Sequence, residues 1–266
     1  MNRCLAQWIV AHRGASAEAP ENTLSAFRLA WEQKADAIEA DFYLTSDQQI
    51  VCIHDKTTKR TAPASPELSV AQSTLEQLRQ LDVGSWKDPR YQGERIPTLN
   101  EVLEIVPEGK KIFVEIKCGP EILAQLEKVI RSSKLHPDQI VFISFNEEVI
   151  RGVRTRLPGY RANWLAGYKQ NKEKTQWTPK TDEVLERLQK TKASGLGTQG
   201  NREIVDKKFV EEVQSLGIEF HVWTINEPQD AAHFAALGAL SITTDKPKVI
   251  RNSLETYKAS QTPLGK

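Results

Sequence analysis

Charged and titratable side chains follow several short apolar stretches in this chain of 266 residues. These side chains belong to His12, Arg13, Glu39, Asp41, His54, Glu115 and Lys117. A charge on a buried strand is costly unless it is paired or binds a metal. Three converging carboxylates would repel one another and raise at least one pKa unless a cation lay between them. Carboxylate oxygens favour a hard divalent cation, Mg²⁺ or Ca²⁺, over zinc.

The alternative is a set of internal salt bridges, in which Arg13 and Lys117 neutralise the carboxylates. For any single pair this is the commoner arrangement, and "AHRG" alone reads as a solvated strand end. Salt bridges account less well for two histidines and three carboxylates together. Histidines transfer protons near neutral pH, so the set favours an active site.

Strand-like and helix-like segments alternate along the chain, which predicts a parallel sheet covered by helices on both faces. The predicted strands are Trp8–Ala11, Ala37–Asp41, Lys111–Lys117, Ile140–Ser144, Arg161–Leu165, Gly195–Thr198, Glu219–Trp223 and Ala239–Thr243. The predicted helices are Thr23–Gln33, Glu121–Ser132, Glu147–Arg156, Asp182–Thr191, Val205–Leu216 and Pro228–Leu237. Eight such strands fit a (β/α)8 TIM barrel of about 250 residues. A doubly wound open sheet is the alternative, but no Gly-x-Gly-x-x-Gly follows the first strand.

Strand geometry brings the candidate residues together. Side chains two apart on a strand share a face, so Glu39 lies beside Asp41 and Glu115 beside Lys117. Barrel active sites form at the carboxyl ends of the strands. The stretch "EADFYLTSDQQIVCIHD" predicts a β-hairpin after the second strand. A two-residue turn at Asp47-Gln48 places Asp41 directly opposite His54, and a one-residue slip would undo that pairing.

A single domain covers residues 1–266, with a small insertion subdomain at Lys56–Pro97. This segment contains four prolines and a helix-like stretch, and it is longer than an ordinary loop. Ala166–Lys180 forms a second long loop. We interpret His221 as a hydrogen-bonded core histidine and Asp245 as a partner in a salt bridge at the barrel bottom or rim.

Composition excludes several classes of protein. The 36 Lys and Arg nearly balance the 35 Asp and Glu, so the chain lacks the basic character of nucleic-acid binders. No apolar stretch is long enough to span a bilayer. Cys4, Cys52 and Cys118 have no CxxC spacing, which argues against a disulfide framework or a zinc site. We predict a cytoplasmic protein without stable membrane insertion, and the oligomeric state stays open.

Several motifs in order resemble the glycerophosphodiester phosphodiesterase family. They are "AHRG", "PENT", "IEADFYLTSD", "IVCIHD", "RT", "IPTLNEVL", "VEIK", "VWTIN" and "ITTDKP", which together cover Ile9 to Pro247. The resemblance implies a (β/α)8 barrel with a small insertion after the hairpin. It implies hydrolysis of glycerophosphodiesters to glycerol 3-phosphate and an alcohol, with a bound divalent cation. The attacking group would be water or the substrate's own glycerol 2-hydroxyl.

The resemblance also implies roles for individual residues. His12 and His54 match the acid/base pair; Glu39, Asp41 and Glu115 match the metal ligands; Arg13 and Lys117 match the phosphate-binding cations; and Trp223 matches an aromatic side chain that lines the substrate pocket. We add Phe145, at another strand end, as a candidate pocket wall. Asn22 is a candidate pocket residue that could also brace the loop carrying His12.

The chain departs from the family pattern at Lys34 and Gln48, where the family usually has glycine. Two other functions stay open. One is a membrane-surface phospholipase D-like or phosphoinositide-cleaving barrel, which only Trp86, Tyr168 and Trp177 suggest. The other is a non-catalytic barrel that binds phosphoesters, although every histidine and carboxylate of the pattern is present.

Overall fold

A computed structural model describes residues 7–261, with side chains to Tyr257; Cys4 lies outside these residues. The strands are β1 (Trp8–His12), β2 (Ala37–Leu44), β3 (Ile50–Cys52), β4 (Lys111–Ile116), β5 (Ile140–Ser144), β6 (Arg161–Ala166), β7 (Lys169–Gln170), β8 (Trp177–Thr178), β9 (Gly195–Gln199), β10 (Glu219–Trp223) and β11 (Ser241–Thr244). Eight of them pair in parallel in the order β1-β11-β10-β9-β6-β5-β4-β2, and β1 also pairs with β2. This last pairing closes the sheet, so the predicted (β/α)8 barrel is confirmed and the open sheet is wrong.

Helices cover the outside of the barrel. They are α1 (Leu24–Glu32), α3 (Leu99–Glu104), α4 (Leu123–Ser132), α5 (Glu147–Arg156), α6 (Thr181–Thr191), α7 (Lys207–Ser215), α8 (Pro228–Ala236) and α9 (Pro247–Gln261). A further short helix, α2 (Leu75–Arg79), lies in the segment that follows the hairpin. The six predicted helices occur within two residues of their expected ends, while α3 and α9 were not predicted. No helix within residues 7–261 is both long enough and apolar enough to cross a membrane.

The core lies in two layers. All eight residues of β2 are buried. Ile38 and Ala40 belong to the large apolar cluster between the sheet and the helices. Ala37 belongs to a smaller cluster inside the barrel, which also contains Val10, Phe113, Val141, Ile143 and Leu165. Because side chains alternate along the strand, Glu39 and Asp41 project into the barrel beyond this apolar floor.

The hairpin register differs from the prediction by one residue. Phe42 pairs with Cys52 and Leu44 with Ile50, so Asp41 lies opposite Ile53 and not opposite His54. The turn has three residues and not two, because the Thr45 hydroxyl donates to Asp47 and accepts the Gln49 N–H. The last turn residue, Gln48, adopts a left-handed φ of 60°. Strand β3 ends at Cys52, so His54 lies outside the ladder and the slip does not fix its orientation.

Residues 56–97, called the insertion below, follow the hairpin. They contain α2 and two 3₁₀ turns, Val70–Gln72 and Pro89–Tyr91. Their apolar side chains pack with Tyr43, Val51 and Ile53 of the hairpin in a separate cluster, to which the insertion contributes Ala62, Val70, Leu78, Leu81, Val83 and Ile96. The insertion therefore packs beside the hairpin that leads to His54.

Candidate active site

Three buried carboxylates meet inside the barrel mouth. Glu39, Asp41 and Glu115 are 2%, 1% and 8% exposed. Asp41 and Glu115 are direct partners in the register between β2 and β4. One oxygen from each of the three residues lies within 4.8 Å of the others.

This proximity perturbs the acidity of the cluster. Burial and the neighbouring carboxylates of Asp41 and Glu115 raise the pKa of Glu39 well above its ordinary value. Burial, followed by the charge of Asp41, raises the pKa of Glu115 to about 7. Burial would also raise the pKa of Asp41, but Lys117 and Arg13 lower it below the usual range. At neutral pH the cluster therefore has a strong preference for added positive charge.

The donor set fits a divalent cation. Among residues 7–257, Glu39 Oε1 is buried without a hydrogen-bond partner, so this carboxylate has an oxygen free for a ligand. Three carboxylate oxygens suit a hard ion such as Mg²⁺ or Ca²⁺. Among the described side chains, no other group of three or more His, Cys, Asp or Glu residues has its ligand atoms close enough together to hold a metal ion.

Two cationic side chains border the carboxylates. Arg13 Nε lies 3.3 Å from Asp41 Oδ2, and Lys117 Nζ lies 3.3 Å from Asp41 Oδ1 and 2.7 Å from Glu115 Oε1. The ion pairs of the salt-bridge alternative are thus present. They do not satisfy the cluster, because the pKa values of Glu39 and Glu115 stay raised and Glu39 Oε1 finds no partner among the described residues.

A tight turn after β1 orients Arg13. Arg13 has a left-handed φ of 57°, and its backbone N–H donates to Glu39 Oε2 over 2.9 Å. Gly14 follows with φ of 83°, and a Cβ there would lie 2.6 Å from the Ala26 backbone. Glycine is therefore required at this position, because the turn packs directly on α1.

His12 is held by Asp245, which directly follows the last strand of the barrel. Its Nδ1 lies 2.7 Å from Asp245 Oδ1. Burial opposes ionisation of Asp245, but hydrogen bonds from His12, Asn226 and Ser16 keep its pKa well below the ordinary value. An ionised carboxylate only accepts, so Nδ1 carries the hydrogen and Nε2 is left for another partner. The sequence predicts a salt bridge of Asp245 at the barrel bottom or rim, and the structure places the pair at the rim, with a candidate catalytic histidine as the partner.

His54 has a similar arrangement at the other side of the site. Its Nδ1 lies 2.7 Å from Asp55 Oδ1. Asp55 is in turn bound by Arg60 Nε over 2.7 Å. Burial lowers the pKa of His54, and Arg13 and Lys117 lower it further against the opposing effect of Asp41. His54 is therefore largely neutral at pH 7, and it lies close enough to Asp41 for the charges to interact.

The three candidate pocket residues lie in two different environments. Phe145 and Trp223 stack edge to face, with ring centroids 5.6 Å apart, and Phe145 is 49% exposed. Phe145 also borders a cleft of about 860 Å³ between the hairpin, the insertion and the β4 end, lined by Tyr43, Lys56, Lys117 and Cys118 among others. Both aromatic residues stay predictions as substrate contacts.

Asn22 lies behind the carboxylates. It is 4% exposed, its Nδ2 donates to Asp41 Oδ2 over 2.8 Å, and its Oδ1 accepts the Asp41 N–H and the Cys52 thiol. These contacts orient Asp41, and they differ from those of an exposed pocket wall. Substrate contact by Asn22 stays a prediction.

Four further residues contact the site residues, directly or through one another, although the sequence did not identify them as parts of the site: Glu21, Asp55, Arg60 and Asp245. Each carried a signal. Asp55 follows His54 directly, Glu21 and Arg60 lie in "PENT" and "RT", and Asp245 ends a barrel strand as the other site residues do.

The three aromatic residues that suggest a membrane-surface enzyme make hydrogen bonds within the protein. Tyr168 is 6% exposed, and its hydroxyl accepts a hydrogen bond from Thr198. The Trp177 and Trp86 indole N–H groups donate to Glu203 and to the Val83 carbonyl. His221 is 3% exposed and bonded to Ser241, as expected for a core histidine. Cys52 and Cys118 are free thiols.

The model of the Glycerophosphoryl diester phosphodiesterase family matches residues 12–249, a span that contains every candidate site residue. The chain belongs to this family. Membership in the glycerophosphoryl diester phosphodiesterase family confirms the predicted enzyme class, that of a glycerophosphodiester phosphodiesterase.

Relatives align with this family member over nearly its whole length. A glycerophosphodiester phosphodiesterase of Caldanaerobacter subterraneus subsp. tengcongensis is 32% identical, covering 92% of this chain and 96% of that protein. One of Bacillus subtilis is 29% identical, covering 93% and 86%. The structure of an Oleispira antarctica phosphodiesterase in complex with the product sn-glycerol-3-phosphate matches with a TM-score of 0.81 and 27% identity, covering 94% of this chain and 97% of that one.

Proposed function

We propose that this family member hydrolyses soluble glycerophosphodiesters to glycerol 3-phosphate and an alcohol at the mouth of the barrel. The observation that carries the proposal is the meeting of three buried carboxylates, two cationic side chains and two carboxylate-paired histidines at one end of the barrel. The relative from Oleispira antarctica, with its bound product sn-glycerol-3-phosphate, supports the same substrate class.

The phosphodiester anion would be bound by Arg13 and Lys117. A guanidinium can contact two phosphoryl oxygens at once, whereas an ammonium acts as a point charge. Both groups now contact Asp41, so an incoming phosphate would compete with that carboxylate for them. The left-handed turn at Arg13 fixes the base of its side chain, and Glu21 Oε1 accepts a hydrogen bond from its Nη1 over 3.0 Å.

Glu39, Asp41 and Glu115 would hold a divalent cation, Mg²⁺ or Ca²⁺. The chemistry supplied at such a site is Lewis-acid polarisation of a phosphoryl oxygen. Asn22 would keep Asp41 in the ligand orientation through its two hydrogen bonds.

The two histidines would divide the proton transfers. We assign the base to His54, because its lowered pKa leaves a neutral ring at pH 7. We assign the acid to His12, because the anionic Asp245 at Nδ1 would stabilise the ring when Nε2 also carries the hydrogen to be transferred. His54 would take the proton of the attacking water or glycerol 2-hydroxyl as its oxygen bonds to phosphorus, the bond between phosphorus and the alcohol oxygen would break, and His12 would protonate the departing alkoxide. On the 2-hydroxyl route a cyclic phosphate forms first, and a second attack by water would open it to glycerol 3-phosphate.

The remaining assignments complete the proposal. Trp223 and Phe145 would form the apolar wall of the substrate pocket, and residues 56–97 would act as a small rim subdomain. The balanced charge supports a small-molecule substrate and no nucleic-acid partner. A cytoplasmic location is part of the same proposal.

A product assay on a panel of glycerophosphodiesters tests the function. ³¹P NMR should show glycerol 3-phosphate from choline, ethanolamine, glycerol or inositol diesters, and a transient cyclic phosphate would identify the glycerol 2-hydroxyl as nucleophile. Vesicles carrying intact phospholipid or phosphoinositide serve as the comparison arm. Turnover of the vesicle lipids without turnover of any soluble diester would overturn the proposal in favour of a membrane-surface enzyme. Binding without turnover would indicate a phosphoester-binding barrel.

A further inference from the structure

Arg60 of the insertion contacts two different carboxylates at the edge of the active site. Its Nη1 and Nη2 donate to the two oxygens of Glu21 over 2.7 and 2.8 Å. Its Nε donates to Asp55 Oδ2 over 2.7 Å. A planar guanidinium is the side chain that can make a bidentate contact on one edge and a separate contact through Nε.

Each of these carboxylates holds a residue of the proposed mechanism on its other side. Glu21 Oε1 also accepts from Arg13 Nη1 over 3.0 Å. Asp55 Oδ1 binds His54 Nδ1 over 2.7 Å. A continuous chain of short polar contacts therefore runs from Arg13 through Glu21, Arg60 and Asp55 to His54.

We infer that Arg60 is a positioning residue, which fixes the phosphate-binding guanidinium of Arg13 and the imidazole of His54 in one frame. The inference rests on the proposed roles of Arg13 and His54. It gives the insertion a part in catalysis, because the insertion supplies the group that joins them.

Charge and exposure favour positioning over simple stabilisation. The Arg60 side chain is 42% exposed, and ion pairs at such sites add little to stability. The Glu21 side chain is only 12% exposed and lies between two guanidinium groups. Without Arg60, Glu21 would bind Arg13 alone and would compete with the phosphate for it. Asp55 would then hold His54 without a fixed partner of its own.

The test compares Arg60→Ala and Arg60→Lys with Arg79→Ala in the full chain. Arg79 is a matched control, because it also belongs to the insertion, is 40% exposed and pairs with Glu101 in α3, outside the chain of contacts. We expect Arg60→Ala to lower kcat/KM by roughly 10–100-fold, as loss of an outer partner of a site residue does. Arg60→Lys should recover only part of this loss, and added guanidinium should partly restore Arg60→Ala through the exposed opening. The Tm of Arg60→Ala should stay close to that of Arg79→Ala. The kcat/KM of Arg79→Ala should equal that of the wild-type protein.

Two further readouts separate positioning from a structural role. The Kd for glycerol 3-phosphate should rise in Arg60→Ala, because Arg13 is misplaced. Asp55→Asn should lower kcat in the wild-type background and have a smaller effect in the Arg60→Ala background, because the two residues act in one chain. Wild-type kcat and Kd in Arg60→Ala, or a loss matched by Arg79→Ala, would overturn the inference. Absence of glycerophosphodiester turnover in the wild-type chain would instead overturn the proposed function.

Discussion

Nδ1 of His12 lies 2.7 Å from Oδ1 of Asp245, although the two residues are 233 positions apart. His12 ends the first strand of the barrel and Asp245 directly follows the last, and closure of the sheet between β1 and β11 makes them neighbours. Asn226 and Ser16 donate hydrogen bonds to the same carboxylate, so the orientation of Asp245 does not depend on His12 alone. The closure of the fold thus determines which imidazole nitrogen faces the substrate.

Asp245→Asn should lower kcat by about 10²–10³-fold with little change in KM. An amide carries no negative charge, so it would no longer stabilise the doubly protonated ring from which His12 delivers its proton to the alkoxide. Steady-state kinetics measure the change. Asp138→Asn is the control, since Asp138 lies 3.5 Å from His136 at an exposed site. This substitution should leave kcat unchanged. Near wild-type kcat in Asp245→Asn would show that this pair does not orient His12.

His12→Ala and His54→Ala should each reduce turnover by roughly 10²–10⁴-fold with the fold intact. The two variants should differ on a glycerophosphodiester whose leaving group is p-nitrophenol, which departs without protonation. If His12 is the acid, His12→Ala should regain most of its rate on that substrate, whereas His54→Ala should not. His136→Ala, at a 72% exposed side chain, serves as the control. The reverse pattern would exchange the two roles, and near-normal turnover by either variant would contradict the two-histidine scheme.

Cation binding should strengthen as the pH rises from 6 to 8. The pKa of Glu115 is raised to about 7, so a proton must leave before this carboxylate can bind a cation. In the cation-free chain this raised pKa favours the folded state at low pH, and the contribution is lost as the pH rises through about 7. The increase in Tm on adding Mg²⁺ or Ca²⁺ should therefore be larger at pH 8 than at pH 6.

Two variants make this measurement specific. Glu115→Gln should abolish most of the cation-induced increase in Tm, while Glu121→Gln, at an exposed position of the adjoining cleft, should keep it. An equal increase at both pH values, or one that survives in Glu115→Gln, would contradict the assignment of these carboxylates as ligands.

The hairpin turn stores a local strain that glycine should relieve. Gln48 has a φ of 60°, a conformation that costs a non-glycine residue roughly 1–2 kcal/mol. Gln48→Gly should raise the free energy of unfolding by about 0.5–1 kcal/mol, after the larger entropy of glycine in the unfolded chain is subtracted. Gln49→Gly, at a neighbour without positive φ, should lower it. Denaturant unfolding measures both, and destabilisation by Gln48→Gly would contradict the assigned turn conformation.

The barrel could be predicted from the sequence because its signals are local. Short apolar strands alternate with amphipathic helices, and each predicted helix appears within two residues of its expected ends. The carboxylate site followed from the same local rule, since Glu39 and Asp41 lie two apart on one strand. Helices α3 and α9 were missed, and α3 is only six residues long.

What the sequence could not supply depends on particular side-chain hydrogen bonds, both within the hairpin turn and between distant segments. The hairpin register was wrong because the Thr45 and Asp47 side chains set a three-residue turn that the residue types at Asp47-Gln48 do not reveal. The sequence predicts a salt bridge of Asp245 at the barrel bottom or rim but does not identify its partner, because His12 lies at the other end of the chain. The chain of contacts through Arg60 likewise joins segments 39 positions apart.

Cation-dependent hydrolysis of glycerophosphodiesters is tested most directly by release of glycerol 3-phosphate by the purified chain, before and after exhaustive chelation. We predict that turnover disappears in the chelator and returns when Mg²⁺ or Ca²⁺ is added in excess. His54→Ala, carried through the same cycle, should stay inactive at every step. Full turnover in the chelator would contradict a role for the cation, and no glycerol 3-phosphate under any condition would contradict glycerophosphodiester hydrolysis.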